Sequence, residues 1–137
     1  MNFVLDASVV LAWAFEDEGG DYAVRVLEAL RGSEAVAASL WPLEVTNGLL
    51  TAERRGRLEA ADARRFLHLL LSLPVVVDPV ARRRAFEGIH ALARVHALTS
   101  YDAAYLELAV RYGIPLATLD ESLRAAVRAE GLAIFAA

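Results

Sequence analysis

Short apolar segments that alternate with segments of helical periodicity constrain the fold of this chain more than any other feature. Strands are predicted over residues 2–6, 34–40, 75–78, 115–120 and 132–135, each short and mostly apolar. Strands that alternate with helices form parallel sheets with helices on both faces. The predicted fold is therefore α/β, a three-layer α/β/α sandwich around a parallel sheet of about five short strands.

Helical signals lie between these strands. Pro42 suits the first turn of a helix, and Gly56 and Gly113 suit helix ends. Ser100 is expected to cap the helix that Gly113 ends. An acidic loop over residues 16–21 separates the first two helices. The predicted helices cover residues 7–15, 21–31, 42–55, 59–72, 79–95, 100–111 and 121–130.

Length and composition bound the class of protein. The 137 residues suit one domain over 1–137, and 57% apolar residues are enough to fill its core. The chain has no cysteine, which excludes disulfides and thiolate metal sites and fits a reducing cytoplasm. No secretory signal is expected, because the chain does not start with a basic segment followed by an apolar run and a small-residue cleavage site. No membrane span is expected, because Pro74 cuts the longest apolar run, residues 68–77. The formal charge of −4 does not favour nucleic acid by itself.

Four carboxylates occupy positions that a parallel sheet can bring together. Asp6 and Asp120 directly follow predicted strands, whereas Glu44 and Asp102 lie near helix starts between apolar neighbours. Open parallel sheets bind ligands outside the carboxyl ends of the strands, where the strand order reverses. Converging carboxylates repel one another, and a divalent cation cancels that repulsion. Oxygen ligands without cysteine or histidine favour Mg²⁺ or Mn²⁺.

Each acid also has a purely structural interpretation. Asp6 could form a turn, Asp120 could cap the following helix, and Asp102 in a first helical turn would suit the helix dipole. Glu44 could be a partly exposed acid of a first turn. Capping does not explain why two strand-end acids share one sheet edge, and this favours the functional interpretation of the set.

Four short motifs resemble, in their order and spacing, those of the PIN domain, in particular the VapC-type toxin ribonucleases of toxin–antitoxin pairs. The motifs are LDASV, LEVTNGL, SYDAAYLELA and LATLD, and together they span nearly the whole chain. The resemblance implies a PIN-like fold and a Mg²⁺- or Mn²⁺-dependent endoribonuclease that hydrolyses RNA phosphodiester bonds. It also implies a homodimer and a cognate antitoxin whose peptide lies in a groove near the acids.

The resemblance carries residue roles over to this chain. The catalytic and metal-binding quartet corresponds to Asp6, Glu44, Asp102 and Asp120. The supporting positions correspond to Ser8, Asn47, Tyr105 and Thr118. Some relatives carry another acid two residues past the last of the quartet, where this chain has Ser122.

The supporting residues have alternative interpretations. Ser8 is expected to cap the first helix, with a hydrogen bond to Asp6 as the alternative. Asn47 lies one turn after Glu44 and faces the same way, where it could orient a ligand or satisfy backbone groups. Tyr105 is expected in the core, since buried tyrosine is common.

Basic and aromatic residues outside the motifs are assigned to structure. The arginine groups are expected on solvated helix surfaces, with RNA phosphate contact as the alternative. These groups are Arg54, Arg55 and Arg57, and Arg82, Arg83 and Arg84. The histidines, which lack metal-ligand spacing, are His68, His90 and His96. The aromatic residues expected in the core or an interface are Trp13, Phe15 and Trp41. The mostly apolar helices over 21–31 and 40–55 could line the antitoxin groove.

Other classes of protein use similar features. A receiver-type phospho-acceptor domain shares the sheet and the acidic edge, but it needs a lysine and this chain has none. A haloacid-dehalogenase-type phosphatase needs a second aspartate where this chain has Ser8. A PIN-like module that binds RNA or a partner without catalysis stays open. RNA cleavage with Mg²⁺ or Mn²⁺, compared with EDTA, would separate these functions.

Overall fold

Four parallel strands form the sheet of the computed structural model, which describes residues 1–15 and 20–137. They are β1 Phe3–Leu5, β2 Ala35–Ala37, β3 Val75–Val77 and β4 Leu116–Ala117. The strand order is β3-β2-β1-β4, and all three pairings are parallel. The parallel α/β prediction is confirmed, although the strands are shorter than predicted.

The fifth predicted strand, residues 132–135, is reduced to a single parallel bridge between Leu116 and Ile134. Leu116 N donates to Ala133 O at 3.1 Å, and Phe135 N donates to Leu116 O at 2.9 Å. Because β4 has only two residues, it offers the last segment too short an edge for a longer ladder.

Helices connect the strands close to where periodicity predicts them. The α-helices are α1 Ala7–Ala14, α2 Gly20–Ala29, α3 Trp41–Arg54, α4 Ala60–Leu70, α5 Arg82–Arg84, α6 His90–His96, α7 Ser100–Tyr112 and α8 Glu121–Ala129. A π-helical segment, Ala85–Ile89, joins α5 to α6. The acidic loop predicted over 16–21 falls mainly on residues 16–19, which lie outside the described ranges. Within those ranges, no helix is long and apolar enough to cross a membrane.

The helix predicted from Pro79 begins instead at Arg82. The backbone before it stays extended, because Asp78 N donates to Ala37 O at 2.9 Å and continues the pairing beside β2. Ala81, the residue that precedes the helix, also has extended φ and ψ angles. The start predicted from proline alone is therefore wrong by three residues, since sheet pairing holds the chain extended.

The cap of α7 also differs from the prediction. Thr99 rather than Ser100 is the N-cap, and its Oγ1 accepts a hydrogen bond from Asp102 N at 3.1 Å. The predicted end of this helix at Gly113 is confirmed. Its φ of 64° lies in the left-handed region that glycine adopts without strain.

The sheet lies between two groups of helices. The chain moves from β1 through β2 to β3 in one direction and then crosses back to β4. Right-handed crossovers therefore put α1–α4 on one face and α5–α7 on the other. The contacts follow this division: α1 touches α2 and α3, while α7 touches α6, α8, β1 and β4. The three-layer prediction is confirmed.

The strand order reverses between β1 and β4. β1 lies between β2, which follows it in the sequence, and β4, which is the last strand. Asp6 N donates to Ala117 O at 3.0 Å, so the carboxyl ends of these two strands meet. This is the edge at which open parallel sheets bind their ligands.

Candidate active site

A cavity of about 310 Å³ opens at this switch point, and the four predicted carboxylates all line it. β1 supplies Asp6 at its end, α3 supplies Glu44 from its first turn, α7 supplies Asp102 from its first turn, and the segment after β4 supplies Asp120. The remaining lining residues are Ala7, Ser8, Leu11, Asn47 and Gly48. The topology thus gathers side chains that are up to 114 positions apart in the sequence.

Asp6 is the most buried of the four acids, with 5% of its surface exposed. Its Oδ2 accepts hydrogen bonds from Ser8 Oγ at 2.6 Å and from Thr118 Oγ1 at 2.7 Å. The expectation that Ser8 caps the first helix is wrong, because Asp6 occupies the N-cap position and Ser8 turns its hydroxyl back to Asp6. The two hydroxyls hold this carboxylate in one orientation.

The same hydroxyls tie β1 to the segment after β4. Ser8 Oγ accepts from Leu119 N at 3.0 Å, and Thr118 Oγ1 accepts from Asp120 N at 3.0 Å. Each hydroxyl therefore accepts from backbone while it donates to Asp6, which fixes the direction of both donors. Ser8 and Thr118 thus fix the position of Asp6 relative to Asp120.

Glu44 lies at the boundary between buried and exposed faces of α3, since Val45 is buried and Leu43 is exposed. Its Oε1 accepts a hydrogen bond from the Tyr105 hydroxyl at 2.5 Å. The expectation that Tyr105 belongs to the core is confirmed, because the residue is fully buried. Asn47 is exposed and lines the cavity one turn after Glu44.

Asp120 has both of the roles considered for it. Its Oδ1 caps α8 by accepting a hydrogen bond from Leu123 N at 2.8 Å. The side chain also lines the acidic cavity. A cap therefore does not remove a carboxylate from the site, because capping uses only one of its oxygens.

Burial and mutual repulsion raise the pKa values of three of these acids. Burial raises the pKa of Asp6, and the hydroxyls of Ser8 and Thr118 offset only part of this rise. Burial, followed by the charges of Asp6 and Asp120, raises the pKa of Asp102 to about 6. Burial also raises the pKa of Glu44; the Tyr105 hydrogen bond opposes that rise, and the charges of Asp6 and Asp102 add to it. In this cavity, the hydrogen bonds to the carboxylates therefore do not offset the cost of burying their negative charges.

The donor chemistry of the cavity fits a hard divalent cation. Of the residues that the structure describes, those with polar side chains in the lining supply carboxylates, one amide and one hydroxyl, and none of them is basic. Such oxygen donors are the ligands that Mg²⁺ and Mn²⁺ prefer. Among residues 1–15 and 20–137, however, no three His, Asp or Glu side chains are grouped closely enough to hold a metal ion as they stand. The side chains that line the cavity therefore have the donor atoms that such a cation prefers. Among the described residues, they are not already arranged around one point as its ligands.

A second cluster of charged residues was not predicted from the sequence. Glu107 on α7 is 6% exposed and accepts from Arg84 Nη1 at 3.1 Å and from Arg111 Nε at 2.9 Å. Arg111 Nη2 also donates to Asp78 Oδ2 at 2.9 Å. Burial alone would raise the pKa of Asp78, but hydrogen bonds from Arg111 and Tyr112, with the charges of Arg111 and Arg84, lower it. The signal was a lone acid inside the apolar run of α7, four residues before an arginine. These contacts tie α7 to α5 and to the end of β3, away from the acidic cavity.

Several aromatic and basic residues that the sequence assigns to structure pack against the core or pair with acids. Trp41 belongs to the buried core, and Trp13 and Phe15 pack against that core. His96 lies 3.1 Å from a carboxylate oxygen of Glu130. Arg84 departs from the expectation of a solvated arginine group, because it pairs with Glu107 as described above.

A larger apolar groove, of about 530 Å³, lies between α3 and α4, away from the acids. Arg64 and His68 are the charged or titratable side chains that line it. Trp41 Nε1 is buried there and has no hydrogen-bond partner among the described residues. Among residues 1–15 and 20–137, no acid lines this groove, which is separate from the candidate active site.

The parallel sheet and the acidic cavity at its switch point define an α/β protein with a candidate site for a divalent cation. The family model of the PIN domain matches residues 3–129. The chain belongs to the PIN domain family, and the resemblance noted in the sequence is confirmed. The receiver-type and dehalogenase-type alternatives are set aside by this match.

Individual relatives point to the same family. The chain is 32% identical to Ribonuclease VapC3 of Pyrobaculum aerophilum over 123 residues, which cover 90% of this chain and 92% of that protein. It is similar to the crystal structure of PAE2754 from the same organism, with a TM-score of 0.70, 26% identity, and coverage of 92% and 84% of the two chains. Mycobacterium tuberculosis VapC20, a sarcin-ricin loop cleaving toxin, shares the fold with a TM-score of 0.68, 19% identity, and coverage of 91% and 95%.

Proposed function

We propose that this protein is an Mg²⁺- or Mn²⁺-dependent endoribonuclease that hydrolyses phosphodiester bonds of RNA. The observation that carries the proposal is the convergence of Asp6, Glu44, Asp102 and Asp120 on one cavity at the switch point of the sheet. The relative named Ribonuclease VapC3 supports RNA as the substrate. The proposal treats residues 1–137 as one nuclease domain.

The negative charge of the cavity makes a cation necessary for this substrate. A phosphodiester is anionic, so a cavity of bare carboxylates would repel it. A bound divalent cation would neutralise charge, polarise the phosphoryl oxygen and lower the pKa of water. Asp6, with Asp102 or Asp120, would hold that cation.

Hydroxyl groups of neighbouring residues orient two of the four acids in the site. Ser8 and Thr118 hold Asp6 in one orientation through the hydrogen bonds to its Oδ2. Glu44 Oε1 accepts a hydrogen bond from the Tyr105 hydroxyl. The Glu44 carboxylate would hold a second ion or orient the attacking water. Attack by water on phosphorus, with departure of the 3′ oxygen, leaves a 5′-phosphate and a 3′-hydroxyl.

The decisive experiment is cleavage of RNA by purified protein with Mg²⁺ or Mn²⁺, compared with the same protein in EDTA. Asp6→Asn serves as the inactive variant, and Asp21→Asn is its control, because Asp21 is an exposed acid in the first turn of α2. Cleavage that needs the metal and Asp6 supports the proposal. Metal-independent cleavage, or equal cleavage by Asp6→Asn, would contradict it. RNA binding without any cleavage would favour the non-catalytic alternative.

The proposal extends to partners. As the resemblance implies, the protein would be the toxin of a type II toxin–antitoxin pair, with a cognate antitoxin, a homodimeric state and a cytoplasmic location. The similarity to a VapC ribonuclease supports the family on which this rests. Large apolar side chains left exposed are available to such partners; they include Leu43, Leu69, Leu71, Phe86 and Val95. Sedimentation of the purified chain tests the dimer. Growth on expression, with and without co-expression of any small protein that an adjacent gene encodes, tests the toxin and antitoxin roles.

A further inference from the structure

Tyr105 combines complete burial with a polar contact to the candidate site. None of its surface is exposed, and its neighbours Ala103, Ala104 and Leu106 on α7 are buried as well. Its hydroxyl donates to Glu44 Oε1 at 2.5 Å, across 61 positions of sequence. The phenol therefore spans from the core to the edge of the acidic cavity.

Close packing of the ring fixes the position of the hydroxyl. α7 packs against β1 and β4, so the helix that carries Tyr105 is anchored to the central strands. A phenol has only two side-chain torsions, and both are constrained when the ring is enclosed. The hydroxyl is thus a fixed point from which a more mobile side chain can be held.

Glu44 has more torsional freedom than the enclosed Tyr105 ring. It lies at a partly exposed position on α3, and a glutamate has three torsions to restrict. Among the described residues, Oε1 accepts this hydrogen bond and Oε2 accepts none, so Oε2 is the oxygen available to the cavity. Asp102 lies three residues before Tyr105 on α7, so one helix both supplies an acid and holds another acid across the cavity.

We propose that Tyr105 is a positioning residue, whose hydroxyl restricts Glu44 to presenting a single oxygen to the divalent cation and the RNA. This inference rests on the proposed function, because RNA cleavage is one of its two measurements. It predicts that Tyr105 acts only through Glu44. A tyrosine that merely satisfied its hydroxyl in the core would affect stability and nothing else.

The matched pair of variants is Tyr105→Phe and Tyr22→Phe. Each removes one hydroxyl and its hydrogen bond, and the Tyr22 hydroxyl donates to the backbone oxygen of Phe135 at 2.9 Å, outside the acidic cavity. Both variants keep the ring, so both are expected to fold, and melting temperature measures the structural effect of each.

Two further measurements separate positioning from structure. For Tyr105→Phe, kcat for RNA cleavage should fall by about ten- to a hundredfold, with KM little changed, the range that loss of a hydrogen bond to a charged group produces. Calorimetric titration with Mn²⁺ should show a changed stoichiometry, or a changed affinity for a second ion, in this variant, with most of the affinity for the first ion kept. Tyr22→Phe should match the unaltered protein in both measurements.

A double-mutant cycle with Glu44→Gln tests whether the effect passes through Glu44. Glu44→Gln alone should lower cleavage by about 10² and keep most of the affinity for the first ion. Adding Tyr105→Phe to Glu44→Gln should lower cleavage by less than about twofold more, since coupled residues are not additive. Full additivity, or a Tyr105→Phe variant with unchanged kcat and Mn²⁺ titration, would overturn the inference. If the unaltered protein cleaves no RNA, the proposed function fails, and the Mn²⁺ titrations of the two phenylalanine variants still decide the role of Tyr105.

Discussion

Replacing Asp102 by asparagine should stabilise the metal-free protein at neutral and alkaline pH. Burial and the charges of Asp6 and Asp120 raise the pKa of Asp102 from 3.8 to about 6. The folded state therefore disfavours the charged carboxylate relative to the unfolded chain. Asparagine has nearly the same shape and carries no charge, so it removes this penalty.

The magnitude follows from the pKa. A rise of about two in pKa corresponds to about 3 kcal/mol, at about 1.36 kcal/mol per pKa unit. Asp102 is only partly buried, and solvent screening reduces this figure, so the expected gain is about 1–2 kcal/mol.

The pH dependence has a definite sign. Because the folded pKa lies above the unfolded one, the folded state binds more protons between about pH 4 and 6. The stability of the unaltered protein therefore falls as pH rises through this window. The advantage of Asp102→Asn should be near zero below this window and complete above it.

Urea unfolding in EDTA at several pH values between 4 and 8 measures this effect. Asp21→Asn is the control, since Asp21 is an exposed acid at the equivalent place in α2, and its stability should stay within about 0.5 kcal/mol. Added Mg²⁺ should stabilise the unaltered protein more than Asp102→Asn, because the cation binds the folded state. A variant that is less stable at pH 8, or whose gain is the same at pH 4, would refute the argument from repulsion and burial.

Three other substitutions test the remaining contacts. Asp6→Asn should abolish RNA cleavage in a gel assay and leave the metal-free melting temperature level or raised; retained cleavage with a large loss of stability would make Asp6 structural. Thr118→Val removes the hydroxyl between Asp6 Oδ2 and Asp120 N, so the free energy of unfolding should fall by about 1–3 kcal/mol. Cleavage by Thr118→Val should fall as well, and full activity would contradict the role assigned to it. Glu107→Gln removes the buried negative charge that pairs with Arg111, so the free energy of unfolding should fall by about 2–4 kcal/mol in urea titrations. Its cleavage per folded molecule should not change, because Glu107 does not line the acidic cavity.

Local patterns were enough to predict the fold class and which four acids would share a cavity. Alternation of short apolar segments with helical periodicity defined the parallel sheet between helices, since burial of one helix face leaves a helical period and burial of both strand faces leaves a continuous apolar run. The motifs around Asp6, Glu44, Asp102 and Asp120 marked residues that the structure brings to one cavity. Strand ends and helix starts are local features, so the sequence reveals them.

Only the tertiary structure decided how polar side chains are paired. Ser8 is a residue type common at helix caps and lies near a helix start. Its hydroxyl instead donates to Asp6 and lies within hydrogen-bond distance of Thr118, 110 residues away. Glu107 is marked in the sequence as a lone acid within an apolar run, but its pairing with Arg84 of another helix is not. Tyr105 was correctly expected in the core, but its bond to Glu44 depends on how α3 approaches α7. Such partners are far apart in the chain, and no periodicity encodes which two distant side chains will meet, whereas burial alone leaves a pattern that can be read from neighbouring residues.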